Sequence, residues 1–358
     1  MIATRPAWRR GCLVALGSIA MLMAWLGLGF GAIDLSLGDI ALGTMKRAVS
    51  WGDVAQANSP RETIFFSLRL PRVLAGLLVG ATLAVAGASL QGIFRNPLAD
   101  PGLIGVSSGS ALAVVVSIVL GARIASLLGA TPGAWIGSSH AMAFVAFIGA
   151  LVATWLVLKL GLGRGGRIDV TLLILAGVAI NALAGAVIGL MTYLADDAEL
   201  RSLTMWTLGS LTGVGWTELG VMALGSSPGL AWLLLRWQRF DLLILGEREA
   251  AHLGLDVHRF QRLVVMACAM VVGVGVAFTG MIGFVGLIVP HIMRLLGGAS
   301  HRFVLPGSAL LGGALLVGAD TMARTLAAPA ELPIGVLTSL IGAPFFIYML
   351  VSARGGLS

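Results

Sequence analysis

Residues 73–94, VLAGLLVGATLAVAGASLQGIF, run for 22 positions without a charge. At about 1.5 Å of rise per residue such a run makes roughly 33 Å of helix, enough to cross a hydrocarbon core about 30 Å thick. Four glycines lie within it. In water they would weaken a helix, whereas in lipid they let two helix backbones approach closely. Comparable uncharged runs occupy residues 11–33, 170–195 and 263–290. The whole chain agrees: of 358 residues 58% are apolar, 11% are charged and 50 are Gly, with a mean hydropathy of +0.98. The bilayer is therefore the main solvent, and a soluble domain, a disordered chain or a disulfide scaffold is excluded.

Cutting at charges, prolines and polar clusters predicts an all-α polytopic membrane protein. Ten helices are expected, over residues 11–31, 64–92, 103–121, 139–160, 171–194, 214–235, 262–280, 284–296, 306–326 and 334–353. The chain reads as one transmembrane domain over residues 1–358. The segments 103–121 and 284–296 are short and interrupted by Gly or Pro, so they are expected to be broken or partly re-entrant. An even span count puts both termini on one side. That side holds Arg5, Arg9, Arg10, Arg95, Lys159, Arg164, Arg167, Arg236, Arg239, Arg248, Arg259, Arg262, Arg294, Arg302 and Arg354, fifteen of the 23 basic residues. Cytoplasmic loops are rich in Lys and Arg, so N-in and C-in topology follows. The N-terminal apolar run lacks a small-residue cleavage site at its end and reads as a retained first span.

The net charge of +7 comes from basic residues dispersed at span ends, a pattern of membrane orientation and not of nucleic-acid binding. Gly27 with Gly31, Gly76 with Gly80, Gly105 with Gly109 and Gly185 with Gly189 have the small-xxx-small spacing of packed helices. Residues 87–97 (GASLQGIFRNP) echo residues 280–290 (GMIGFVGLIVP), each with ten residues from Gly to Pro after an apolar span. Such echoes occur in transporters built from halves, with interrupted segments beside the substrate path. Residues 32–63 and 195–213 are polar enough to leave the membrane and to form short interfacial helices. Residues 236–262 (RWQRFDLLILGEREAAHLGLDVHRFQR) are too charged to span. Helical apolar spacing at Leu242, Leu245, Ala250 and Leu253, with breaks at Gly246 and Gly254, predicts two short helices forming a docking surface.

The chemistry is sparse. No GxxxxGK[ST] loop, HExxH, GxSxG or paired intramembrane carboxylate is present, so nucleotide binding of that kind, hydrolysis and a carboxylate relay lack their residues. Asp320 lies within a span, and an ion pair to Arg324 one turn later is the favoured reading. Cys12 and Cys268 read as small buried hydrophobes, and His140 and His291 lack a second ligand at helical spacing, so no metal site is assigned. No cofactor is expected on this chain.

Four stretches carry a family resemblance: residues 69–111 (RLPRVLAGLLVGATLAVAGASLQGIFRNPLADPGLIGVSSGSA), 243–256 (LILGEREAAHLGLD), 280–302 (GMIGFVGLIVPHIMRLLGGASHR) and 319–350 (ADTMARTLAAPAELPIGVLTSLIGAPFFIYML). Together they resemble the permease subunit of bacterial type II ABC importers for iron-siderophores, haem and cobalamin. The resemblance spans most of residues 60–352. It implies a homodimer in the bacterial inner membrane, two cytoplasmic ABC ATPase subunits that bind ATP and Mg, and a periplasmic substrate-binding protein. By the same resemblance Arg69, Arg72 and Arg324 face acidic residues of the binding protein. The loop at about 241–256 supplies the coupling helices, with Gly246 and Gly254 bending the chain and Glu247, Ala250 and Leu253 presented to the ATPase. Asn96 and Leu98, with Val170 and Thr171, match positions that narrow the cytoplasmic exit, although Val170 stands where cobalamin-type relatives have a hydroxyl. Residues 199–211 (ELRSLTMWTLGSL) are most similar to haem permeases, with Arg201 at the external mouth able to meet a propionate. The expected function is thus haem import by the permease of an ATP-driven system, with a ferric siderophore or cobalamin as alternative cargo. An ion-coupled secondary carrier and a membrane enzyme are the rivals from other classes.

Overall fold

The computed structural model describes residues 6–31, 38, 60–127, 139–163, 166–328 and 330–355. The proposed interfacial helix within residues 32–63 falls almost wholly outside them. Among the described residues thirteen helices follow one another: α1 (Pro6–Gly29), α2 (Pro60–Phe94), α3 (Val106–Leu127), α4 (Ser139–Leu160), α5 (Val170–Leu194), α6 (Asp197–Leu208), α7 (Trp216–Leu235), α8 (Trp237–Ile244), α9 (Glu247–His252), α10 (Val257–Thr279), α11 (Val285–Gly297), α12 (His301–Leu326) and α13 (Ile334–Gly355). Among the described residues the β-structure amounts to one antiparallel bridge, Leu162 to Ile168.

Among the described residues seven helices, α1, α2, α4, α5, α7, α10 and α12, are long and apolar enough to cross a membrane, and shorter apolar helices lie at Val106–Gly121, Val285–Gly297 and Ile334–Met349. The 13 residues of α11 make about 20 Å of helix, short of the hydrocarbon thickness. It starts abruptly, from Phe284 at φ 67°, and contains Pro290. The start of α3 is likewise broken: Asp100 caps a 3-10 turn over Pro101–Ile104, and Gly105 at φ 82° redirects the chain. These are the two segments expected to be interrupted.

Helix α2 is the centre of the fold, with 78% of its apolar window buried against 17% for α1 and for α5. It packs against α12, α10, α11 and α7. The glycine spacing explains how. A Cβ added at Gly80 would lie 2.2 Å from the carbonyl oxygen of Gly312, and one at Gly312 would lie 2.3 Å from that of Gly80. Gly109 and Gly149 oppose each other across α3 and α4 in the same way, at 2.4 Å. Backbone here touches backbone, which no larger residue permits. Gly185 and Gly189 differ, because a Cβ added at either would meet nothing within 4 Å; this small-residue face of α5 is open.

The two echoing stretches meet in space. A Cβ at Gly87 would lie 1.9 Å from the Gly286 oxygen, and Gln91 Nε2 donates to the oxygens of Gly286 and Leu287 at 3.3 and 3.4 Å. Helix α12 begins at His301, five residues before the expected start at Pro306. Proline so close to the helix start removes one backbone donor from its second turn, and the helix tolerates it.

Candidate functional site

Three regions hold the residues singled out from the sequence. The first is the end of the bundle where α1 stops. The last carbonyls of a helix have no partner within it and carry the negative end of its dipole. Two arginines from distant segments fill that need in α1. Arg69 Nη1 donates to Leu28 O at 2.9 Å and Gly29 O at 2.8 Å, while Arg324 Nη2 and Nη1 donate to Gly27 O at 2.9 Å and Phe30 O at 3.3 Å. Arg69 ends a six-residue π-helical segment, Ile64–Arg69, inside α2. The wider turn there leaves the Phe66 carbonyl to accept from Trp216 Nε1 at 2.8 Å.

Asp320, buried to 1% exposure, ties the cluster together. Arg72 Nε donates to its Oδ1 at 2.9 Å, and Arg324 Nε lies 3.0 Å from Oδ2. The expected pairing of Asp320 with Arg324 is therefore present, and Arg72, 248 residues earlier in the chain, joins it. Arg72 also reaches out to Glu331, through Nη1 at 3.2 Å and Nη2 at 3.0 Å. Burial pushes the Glu331 carboxyl up, but hydrogen bonds from Arg72 and Thr212 outweigh it and hold the group below its ordinary value. Arg69, Arg72 and Arg324 are all buried, with guanidinium groups engaged inside the chain. Any contact they make with another protein requires exchange of these partners.

Beside Glu331 opens a cavity of about 430 Å3. Its wall mixes the aromatic rings of Trp206 and Phe278 with the hydroxyls of Ser210, Thr212 and Thr279. Three backbone segments are stitched under it: Ser210 N donates to Thr279 O at 2.8 Å and Ile334 N to Gly209 O at 3.0 Å. Gly209 at φ 71° approaches Met281 O so closely that a Cβ would lie 2.3 Å away. The short helix α6 overhangs this mouth, as expected for residues 195–213. It starts with a complete capping box, Asp196 accepting from the Glu199 N–H at 2.8 Å and Glu199 from the Asp196 N–H at 3.0 Å. Glu199 is thus committed to the cap. Arg201 is exposed, and among the described residues it has no ion pair or hydrogen bond. Met205, one turn later on the same face, lines the cavity.

The second region is the polar hairpin α8–α9. Gly246 at φ 123° and Gly254 at φ 89° occupy conformations that suit glycine, which bears out their reading as bends. Leu245 and Leu253 are 61% and 60% exposed, and Glu247 is exposed while its Oε1 accepts from Gln261 Nε2 at 2.9 Å. Ala250 departs from the expected surface. It is fully buried: of the two alanines in the six-residue α9, Ala250 packs inward and Ala251 is left exposed. The hairpin is tied to α12 by Asp241, which accepts from Ser300 Oγ at 3.0 Å, His301 N at 2.6 Å and His301 Nδ1 at 3.0 Å. Burial raises the Asp241 carboxyl, but these bonds win and hold it below its ordinary value. His301 stacks on Phe240 with ring centroids 5.2 Å apart. No sequence pattern links Asp241 to a residue 60 positions later. A groove of about 610 Å3 beside Leu253 is lined by Arg236, Arg239, Arg259 and Asp256 and forms part of this element.

The third region holds the residues expected to narrow the cytoplasmic exit. Arg95 ends α2 at φ 49° and Asn96 Oδ1 accepts from the Leu98 N–H at 2.9 Å, closing the turn after the span. Asp169 caps α5 by accepting from the N–H of Thr171 and Leu172 at 2.9 and 3.1 Å. Thr171 is exposed, whereas half-buried Val170 leans against the core. The 3-10 turn that follows Leu98 packs on α5, where Gly177 lies against Leu103 O. The two sets of residues are thus separated by only the 3-10 turn, which packs on α5.

Comparison with known proteins gives a consistent picture. The sequence profile of the FecCD transport family matches residues 19–352. The chain is 42% identical over 342 residues to the hemin transport system permease protein HmuU of Yersinia pestis, covering 95% of this chain and 96% of the relative. It is 38% identical over 347 residues to the vitamin B12 import system permease protein BtuC of Vibrio vulnificus, covering 97% and 95%. Its fold matches a metal-chelate type ABC transporter solved in an inward-facing conformation, with a TM-score of 0.78 and 32% identity over 95% of this chain and 98% of that one.

Proposed function

The chain belongs to the FecCD transport family and is the multi-pass permease component of an ABC importer for metal chelates, haem or vitamin B12, and from that premise we propose that its cargo is haem. It is a transport subunit and not an enzyme. The observation that carries the haem reading is the 42% identity to a hemin permease over nearly the whole of both chains. The external mouth is consistent with it. Trp206 and Phe278 offer flat apolar faces to a macrocycle, and Arg201 projects without an internal partner where a propionate would enter. Vitamin B12 is the second reading, favoured by 38% identity to a B12 permease over 97% of this chain.

In this reading the permease is a homodimer in the bacterial inner membrane with both termini cytoplasmic. The weakly covered α5, with open space at Gly185 and Gly189, supports a second copy on that face. Two ABC ATPase subunits grip the α8–α9 hairpin through Leu245, Glu247 and Leu253, with ATP and Mg on the ATPase and no cofactor on this chain. Closure of the ATPases pushes the hairpin, and the Asp241–His301 link carries the push into α12 and so to the Asp320 cluster at its far end. Asn96, Leu98, Val170 and Thr171 narrow the cytoplasmic exit. A periplasmic binding protein docks over α6 and the Arg72–Glu331 edge. There Arg69, Arg72 and Arg324 contribute positive potential from beneath the surface, which steers acidic lobes more than it strengthens the complex.

The test of cargo is uptake by proteoliposomes holding the permease with its ATPase and binding protein, offered hemin, cyanocobalamin and a ferric siderophore in parallel. Hemin accumulates fastest if the reading is right. Uptake of cyanocobalamin with hemin excluded would overturn the haem assignment while leaving the permease assignment in place.

A further inference from the structure

A second basic groove lies beside the base of the hairpin, between the first turns of α1 and α12. Pro6, Arg9, Arg10, Leu13, Arg302 and Phe303 enclose about 290 Å3. No acidic residue is among them, and among the described residues none of the three arginines has an ion pair. Arg9 is held in place because its Nε donates to Gly297 O at 2.9 Å, which leaves its terminal N–H groups to the groove. The Arg302 guanidinium lies 5.4 Å from the Trp237 ring centroid, and Arg10 is exposed. Trp8 is 47% exposed and donates its indole N–H to Leu296 O at 3.0 Å, fixing α1 to the end of α11.

Three cations with no carboxylate paired to them give this surface groove a positive potential that attracts an anion. Their position limits which one. Both helices whose ends form the groove are apolar enough to cross the membrane, so the arginines sit at headgroup depth, with an exposed indole beside them as at membrane interfaces. Leu13 and Phe303 supply an apolar wall suited to glycerol and the first methylenes of an acyl chain. We propose that this groove binds the phosphate of an anionic phospholipid, such as phosphatidylglycerol, from the leaflet at that face. The ammonium of a zwitterionic lipid would be repelled by cations that have no local counter-charge, so the site discriminates by headgroup charge. The site stands whatever the cargo of the permease.

The test uses the full-length chain, delipidated in detergent, with bound lipid counted by native mass spectrometry. Phosphatidylglycerol should be retained in preference to phosphatidylcholine. Arg10→Gln with Arg302→Gln should lower that retention about thirty-fold, from about one surface cation's worth of attraction lost twice. Arg10→Lys with Arg302→Lys should retain most of it. Arg10→Gln alone, at an exposed residue, cannot disturb packing and should still cost about five-fold. The proposal is overturned if the two lipids are retained equally, if the glutamine variants bind phosphatidylglycerol as the parent does, or if glycerol phosphate displaces the lipid at equal concentration, which would make the groove a site for soluble phosphates.

Discussion

Replacing Gly80 by alanine puts the backbone contact between α2 and α12 to the test. The new Cβ would lie 2.2 Å from Gly312 O, 2.6 Å from its carbonyl carbon and 2.9 Å from Gly313 Cα, where ordinary contact starts at 3.4 Å. Both α2 and α12 are buried helices, so the strain cannot be relieved by a side-chain rotation; the axes must part by roughly 1 Å over neighbouring turns, with loss of dispersion contacts. Overpacking of this kind costs about 1–3 kcal/mol, and alanine returns up to about 1 kcal/mol of helix propensity, leaving a net loss of about 1–2 kcal/mol. Gly312→Ala meets the same obstacle from the other side. The double variant should lose less than the sum, since helices already parted accommodate the second methyl. Gly220, in α7 with nothing within 4 Å, is the control, and alanine there should be neutral or stabilising. The assay is unfolding in mixed micelles of rising SDS fraction, followed by tryptophan fluorescence. Unchanged midpoints for Gly80→Ala and Gly312→Ala would refute the claim that backbone contact sets the α2–α12 distance.

Asp320→Ala should lower stability by about 3–5 kcal/mol in the same assay, since it strands Arg72 and Arg324 in a buried site, whereas Glu331→Gln at the exposed edge should cost far less. Glu247→Ala with Leu253→Ala should leave folding intact yet abolish stimulation of uptake by ATP in vesicles. Acid should free the hairpin late. A carboxyl held below its ordinary value stabilises fully above its unfolded pKa and loses that contribution as pH falls through the folded value, so the Asp241 carboxylate should keep its part of the tether through the ordinary carboxylate range and lose it only as the pH falls below that range. Hydrogen exchange over residues 237–256 reads this, and Asp241→Asn should remove the pH dependence. Arg201→Ala should slow hemin uptake at limiting concentration without changing the unfolding midpoint.

Most of the spans were legible because lipid asks for uncharged length, and the runs at 73–94 and 170–195 announce that without any periodicity. The interrupted starts of α3 and α11 were legible from Gly105 and Pro290 for the same reason: backbone irregularity is written in Gly and Pro. Contacts at helical spacing were also within reach, as Asp320 with Arg324 illustrates. The long-range ones were not. Nothing in sequence indicates that Arg69 and Arg324 would close the end of α1, since any arginine near a span end looks alike until the carbonyls it serves are placed. Ala250 was misjudged as surface because alanine is small enough for either face, and of the adjacent pair in α9 it is Ala251 that stays exposed. The Asp241–His301 link spans two elements and left no local signal.

ATP dependence of uptake tests the central claim most directly. Proteoliposomes containing this chain, its ABC ATPase and the binding protein should accumulate labelled hemin against a gradient when ATP is enclosed, and should fail to do so when the ATPase is omitted or ATP is replaced by a non-hydrolysable analogue. Uphill accumulation by the chain alone, driven by a proton or sodium gradient and indifferent to ATP, would contradict the account.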